Sequence, residues 1–323
     1  MWALTTPPQY IYGYPWHLPD PWRTVSRPIT WLAEGFLSPR GGGVWVDDMY
    51  MGTAVLMSHS LVSGQVDHLL QAGHQLVSTA GHLTAGRLLQ HGYSHYTGHT
   101  SCCRWCRGNG WAVLATTEYL LAAWELGVLT QHVSQEVLAL YRHQVEDLLA
   151  LQSEEGLWHN ILDNNQTFLE TSCSSMFLTG LIRGHRHGWL QQSPERIEDS
   201  IARAWQGLVS RSDWANVKLI TGRYWTFRVQ PDGSIADIIG GTGIQDTEAG
   251  YTPRHTDFTH ASPGVGAVLI ALAEMIQFQS LLWCLRFQCR GRLMDPIFWK
   301  KLPLDELWEF ICQLGKLDKK LIT

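Results

Sequence analysis

The chain has 323 residues, of which 45% are hydrophobic and 16% charged, and 24 Lys and Arg stand against 29 Asp and Glu for a formal net charge of -5. So much apolar material and so little charge exclude a disordered chain, and the acidic balance excludes a phosphate-tracking nucleic-acid protein, which needs a basic stripe. The 16 tryptophans are the outlier: rings of that kind fill a core or line a groove, and grooves with flat apolar walls suit sugar rings.

In chain order, residues 1–40 are rich in Pro, Trp and Tyr and lack a helical period, which predicts an irregular N-terminal segment. They show no basic region, apolar run or small-residue cleavage site of a secretory signal, so a cytoplasmic location with reduced thiols is expected. Apolar residues then recur at helical spacing over 52–70, 111–126, 133–151, 172–189, 194–208 and 263–281, whereas strand-like alternation is scarce and short. Residues 265–285 are nearly long enough to span a bilayer, but Glu274, Gln277 and Gln279 make them a buried helix, and no membrane contact is expected. From Phe278 onward the chain turns locally basic and cysteine-containing. The predicted organisation is therefore an irregular segment over 1–40, a helical domain over 41–277 and an atypical tail over 278–323.

The connections between these helices are rich in Gly, aromatic residues and His. His91, His159 and Arg228 stand at comparable places in three of them, about 68 residues apart, the length of two helices and two loops. This spacing predicts an all-α fold of repeated helical hairpins. A toroid would collect such loops at one mouth and build a site there; an ordinary solenoid would use the same aromatic loops to seal hairpin ends. Composition is compatible with both.

Three segments carry chemistry. In Trp45-Val46-Asp47-Asp48-Met49-Tyr50-Met51, two acids open a helix. Asp48 has a local explanation, because a carboxylate at a helix start accepts from free N–H groups and opposes the macrodipole. Asp47 beside Trp45 reads differently: an indole wall desolvates a carboxyl and favours the protonated form that a general acid needs. In Trp105-Cys106-Arg107-Gly108-Asn109-Gly110-Trp111, Arg107 is either a structural cation-π partner or a planar fork for a carboxylate or hydroxyls, with Trp105 and Trp111 stacking on sugar faces. His91-Gly92-Tyr93 closes the preceding loop, and a lone histidine is more often a satisfied core residue than a catalyst. Of the seven cysteines, Cys102 or Cys103 together with Cys106 could join His99 at a zinc ion, but no second ligand pair has metal-site spacing, so no metal is assigned.

Taken together these segments resemble glycoside hydrolase families 88 and 105, the unsaturated glucuronyl and rhamnogalacturonyl hydrolases. The resemblance covers about residues 41–275 and rests on WVDDMYM, HGY followed by W-x-R-G-N-G-W, GLWHNILD with FLETSCSSMF, and GTGIQDTEAGY with PGVGAVLIALAEM. It implies an (α/α)6 barrel, with an incomplete N-terminal part, because only 44 residues precede Trp45. It implies an oligosaccharide substrate whose non-reducing end is a 4,5-unsaturated uronic acid, and acid/base hydration of the C4=C5 bond without a metal or organic cofactor. By position, Asp47 is the acid/base and His91 lies near the uronate. Trp45, Asp48, Tyr93, Trp105, Arg107 and Trp111 form the substrate cleft, while Trp158, His159 and Glu170 are read as architectural. Ser94 departs from the aspartate that often follows the HGY turn. A non-catalytic or vestigial glycan-binding protein of the same fold is the alternative, and a helical scaffold for protein partners has less support, because scaffolds do not need an acid between indoles.

Overall fold

The computed structural model describes residues 43–84, 88–94, 98–209, 217–218, 224–225, 235–240, 242–251, 255–256 and 263–286. The segment 1–40, Arg228 and the tail beyond residue 286 therefore lie outside the described residues. The chain divides into two units between Val268 and Leu269.

Helix α1 (Asp48–Ser63) ends where Gly64 adopts φ 73° and returns its N–H to the Ser60 carbonyl. A left-handed cap of this kind favours glycine. It splits the helix predicted over 52–70, and the chain restarts as α2 (Val66–Leu83). A glycine inside a helical period costs only about 1 kcal/mol, so the pattern alone does not force a break. Two further hairpins follow, α3 (Cys106–Glu125) with α4 (His132–Leu151) and α5 (Thr171–Arg186) with α6 (Pro194–Val209). Helix α7 (Pro263–Arg286) contains the apolar run. No helix among the described residues is long and apolar enough to cross a membrane.

Alternate helices pack side by side: α1 on α3 and α3 on α5 form one row, while α2 on α4 belongs to the other. In that row α3 and α5 are buried over most of their length, and their sequences are suited to that. Thr116, Thr117, Ser174, Ser175 and Thr179 are small, and each hydroxyl is satisfied by a carbonyl one turn earlier. Helices α3 and α5 come so close that a Cβ on Gly110 would press into Met176 and one on Gly180 into Val113. The outer helix α4 ties on to both, through Tyr119 to Ser134 at 3.0 Å and Tyr141 to the Gly180 carbonyl at 2.7 Å.

The strands are two or three residues long, in line with the sparse alternation. Strand β1 (Gly43–Trp45) pairs antiparallel with β2 (Gly92–Ser94), with Trp45 opposite Gly92. Strand β3 (Val217–Lys218) pairs with β4 (Tyr224–Trp225), and β5 (Ile238–Ile239) with β6 (His255–Thr256). More consequential are the backbone bonds between the segments that enter α1, α3 and α5. Val46 donates to the His91 carbonyl, His91 to Cys103, Cys106 to Asn160 and Thr171 to Asp237, all at 2.9–3.1 Å. The connections therefore gather at one end of the inner row, as a mouth requires.

This gathering also overturns the expectation of reduced thiols. Cys106 opens α3 and Cys173 lies in the first turn of α5; their Cα atoms are 5.6 Å apart and their sulfurs are bonded. Cys102 and Cys103 are bonded to each other. The zinc alternative loses its thiolates to these pairs. Neighbouring helix starts bring together positions 67 residues apart, which linear spacing does not reveal.

Candidate active site

The turn between β1 and α1 separates the two acids. Asp47 supplies only its backbone carbonyl to the helix, accepting from Tyr50 and Met51, and its side chain makes no capping bond. Asp48 is buried and its Oδ2 accepts from the Trp45 N–H at 3.2 Å. Asp48 thus holds the backbone of β1 at the turn. The Asp47 carboxyl remains available, 24% exposed, with Oδ2 3.4 Å from His91 Nε2. Neither of these two atoms has a hydrogen-bond partner among the described residues, so the two groups face each other closely without a formed hydrogen bond.

His91 is completely buried. Its ring meets Trp45 edge-on at 5.6 Å, Trp105 at 4.4 Å and Tyr251 at 5.6 Å between centroids. Its Nδ1 lies 2.8 Å from the Tyr251 hydroxyl, which also accepts from the Gln245 N–H at 3.3 Å. Burial is the main force that pushes the Tyr251 phenol well above the usual tyrosine range; the Gln245 bond lowers it again and the Asp47 and Asp246 charges add to the rise. The phenol therefore stays protonated under the histidine at any physiological pH.

Arg107 is not an open fork. It is 2% exposed and lies over the Trp105 ring at 4.8 Å, while Nη1 donates to the Ile239 carbonyl and Nη2 to the Gly240 carbonyl, each at 2.6 Å. Nη1 also stands 3.8 Å from Glu170 Oε1. Burial draws the guanidinium below its ordinary value, and the Glu170 and Asp47 carboxylates oppose that shift. Both halves of the sequence reading of this residue are resolved: the cation-π contact is present, and the planar fork is used on the β5 backbone instead of on a ligand. Physically, a planar guanidinium satisfies two neighbouring carbonyls at once, and the Gly240 carbonyl accepts from the Thr242 hydroxyl as well, at 3.0 Å.

The remaining residues separate. Trp111 lies about 9 Å further along α3 than Trp105; it is part-buried and packs with Tyr50 at 5.2 Å, near Leu114 and Met176. Tyr93 stacks on His82 at the end of α2, with centroids 5.3 Å apart. Ser94 is buried in β2. Trp158, His159 and Glu170 are architectural as expected: Trp158 donates to the Leu148 carbonyl, His159 contacts the Thr167 carbonyl, and Glu170 caps α5 through the Cys173 N–H at 2.7 Å. Among the described residues no group of three or more His, Cys, Asp and Glu is placed to hold a metal ion.

Tyr251 is the residue that sequence reasoning missed. It closes the quoted segment GTGIQDTEAGY, so the motif pointed at the right loop without naming its tyrosine.

Residues 40–279 match the model of Glycosyl Hydrolase Family 88. The chain belongs to this family. It is 33% identical over 188 residues to the unsaturated rhamnogalacturonyl hydrolase YesR of Bacillus subtilis, a match that covers 57% of the chain and 45% of YesR. The chain thus spans less than half the length of that curated relative. Among solved structures, it superposes on a glycoside hydrolase of family 105 from C. acetobutylicum with a TM-score of 0.58 at 22% identity, covering 72% of the chain and 64% of the other. A family 88 glycosyl hydrolase from Bacteroides vulgatus gives 0.54 at 20% identity, with 84% and 73% covered. These likenesses assign the helical hairpins to the (α/α)6-barrel fold.

Proposed function

We propose that the chain is a hydrolase acting on oligosaccharides that carry a 4,5-unsaturated uronic acid at the non-reducing end, of the rhamnogalacturonyl type that YesR is named for. Asp47 is the acid/base. Its carboxyl donates a proton to C4, the ring oxygen stabilises the positive charge left at C5, and the resulting carboxylate takes a proton from the water that attacks C5. Water is thereby added across the double bond, and the hemiketal opens to release the neighbouring sugar. His91 borders the reacting carboxyl, Trp45 and Trp105 wall it, Trp111 lines the cleft further along α3, and Arg107 holds the β5 backbone beside it.

The observation that carries this reading is the division of labour between two adjacent acids: Asp48 is committed to a backbone N–H, and Asp47 presents an uncapped carboxyl 3.4 Å from a buried histidine. Displacement at an anomeric carbon needs two cooperating carboxyls some 5 to 9.5 Å apart, roughly. Hydration of an enol ether needs one, because the group that gives its proton to C4 becomes the base for water. Glu170, the other buried carboxylate nearby, is occupied by the Cys173 and Ile239 N–H groups and by Ser172.

The test is the ultraviolet band of the conjugated double bond in a lyase-generated disaccharide. Wild type is expected to bleach it, and Asp47→Asn to remain folded without bleaching it. A folded wild type that leaves the chromophore untouched over hours overturns the proposal, and saturable sugar binding in the same sample would then identify a glycan-binding protein.

A further inference from the structure

Tyr251 reaches His91 across 160 residues of sequence, and the reach is well supported. Its loop is pinned by Asn164 donating to Glu248 at 2.6 Å, while Asn160 donates to the Tyr251 carbonyl at 3.4 Å. The ring packs in a buried cluster with Cys103, Trp105, Ile161 and Ile239. A phenol held this firmly acts on its partner in one geometry only.

The direction of the hydrogen bonds follows from counting protons. A phenol oxygen carries one hydrogen and accepts through its lone pairs. Tyr251 Oη already accepts from the Gln245 N–H, so its own hydrogen needs an acceptor, and His91 Nδ1 at 2.8 Å is the one it faces. Were Nδ1 to carry the ring proton instead, the Tyr251 hydrogen would be buried without a partner, at a cost of about 1–3 kcal/mol. Nδ1 therefore accepts, and the ring proton of the neutral imidazole sits on Nε2, 3.4 Å from Asp47 Oδ2.

We infer that Tyr251 is a positioning residue for the reaction, fixing His91 in the Nε2–H tautomer so that a donor, and not a lone pair, faces Asp47 Oδ2. The inference rests on the reading of Asp47 as acid/base. A donor on Oδ2 leaves the exchangeable carboxyl proton to Oδ1 and steadies the carboxylate that forms once the proton has gone to C4. With the opposite tautomer the Nε2 lone pair would compete for that proton and silence the acid. Partners that orient a metal-bound histidine through its other nitrogen typically contribute about ten- to a hundredfold, and a comparable effect is expected of Tyr251 here.

Two measurements test it. In 15N-histidine-labelled wild type near pH 7, the long-range 1H–15N correlation of His91, assigned by its loss in His91→Gln, is expected to show a protonated Nε2 and an unprotonated Nδ1. An Nδ1–H tautomer or a doubly protonated ring overturns the inference, and this readout needs neither a substrate nor a variant at position 251. Tyr251→Phe, which keeps the ring, is expected to lose the single-tautomer signature and to lower kcat on the unsaturated disaccharide about tenfold or more, with KM within about twofold. A folded Tyr251→Phe that keeps both the Nε2–H signature and wild-type kcat also overturns it. If the tautomer behaves as expected but no preparation turns over substrate, the proposed activity fails and the control of His91 by Tyr251 stands.

Discussion

Arg107 and Glu170 form a buried ion pair that joins the starts of two inner helices, with Arg107 Nη1 3.8 Å from Glu170 Oε1 and both side chains almost wholly out of solvent. The distance is long for a direct hydrogen bond, and the pair works through what each partner also holds. Glu170 accepts from the Cys173 and Ile239 N–H groups, and Arg107 donates to the Ile239 and Gly240 carbonyls. Residue 239 is thus gripped at both its N–H and its C=O, which ties β5 to the starts of α3 and α5.

Removing one partner of such a pair leaves an uncompensated charge. Arg107→Met is expected to destabilise the protein by about 3–5 kcal/mol in urea unfolding. Arg107→Lys should recover only part of that, because an ammonium lacks the fork that satisfies two carbonyls. A lysine variant as stable as wild type would show that the two carbonyl bonds contribute little.

The two acids of the turn should separate in experiment. Asp48→Ala removes the acceptor of the Trp45 N–H, and a loss of about 1–3 kcal/mol in stability is expected. Its kcat should stay within severalfold of wild type, in contrast to the loss of turnover in Asp47→Asn. Thermal melts and double-bond bleaching read the two effects separately.

Alkaline stability follows from the buried phenols. Burial is the leading cause of the raised values of Tyr141, Tyr251, Tyr119 and Tyr50, so the folded protein holds these protons more tightly than the unfolded chain. The stability they contribute is fully present below the ordinary tyrosine value of about 10 and is lost as pH rises from there toward the folded values. Unfolding free energy is expected to fall with pH above about 10, and Tyr141→Phe to shallow that slope. An unchanged slope in the variant would refute the assignment.

The close approach of α3 and α5 leaves no room for another carbon. Gly180→Ala places a methyl into Val113, and overpacking of this kind typically costs about 1–3 kcal/mol. Val113→Ala in the same chain should relieve the clash and return part of the loss. A double variant no more stable than Gly180→Ala alone would count against that contact.

Local patterns made much of the fold and part of the site legible. A 3.6-residue period announces a helix wherever it occurs, so α3 to α7 were readable; α2 was obscured because Gly64 fits the helical period as well as the break it makes. Asp47, His91, Trp45 and Trp105 were legible because short segments carry them, and the structure brings these four together. Asp48, Tyr93 and Arg107 lie in the same segments, and each has a partner within the protein. Whether a side chain faces a ligand or the protein depends on atoms far along the chain. The Ile239 and Gly240 carbonyls decide for Arg107, Tyr251 decides which nitrogen of His91 accepts, and Cys173 decides the state of Cys106. The amino-acid sequence by itself determined the helices, their repeat and which loops carry acid, imidazole and indole, since those follow from neighbours within a turn or two. Only the tertiary structure decided which of those groups remain available for chemistry, because that is settled by the nearest unsatisfied donor or acceptor in space.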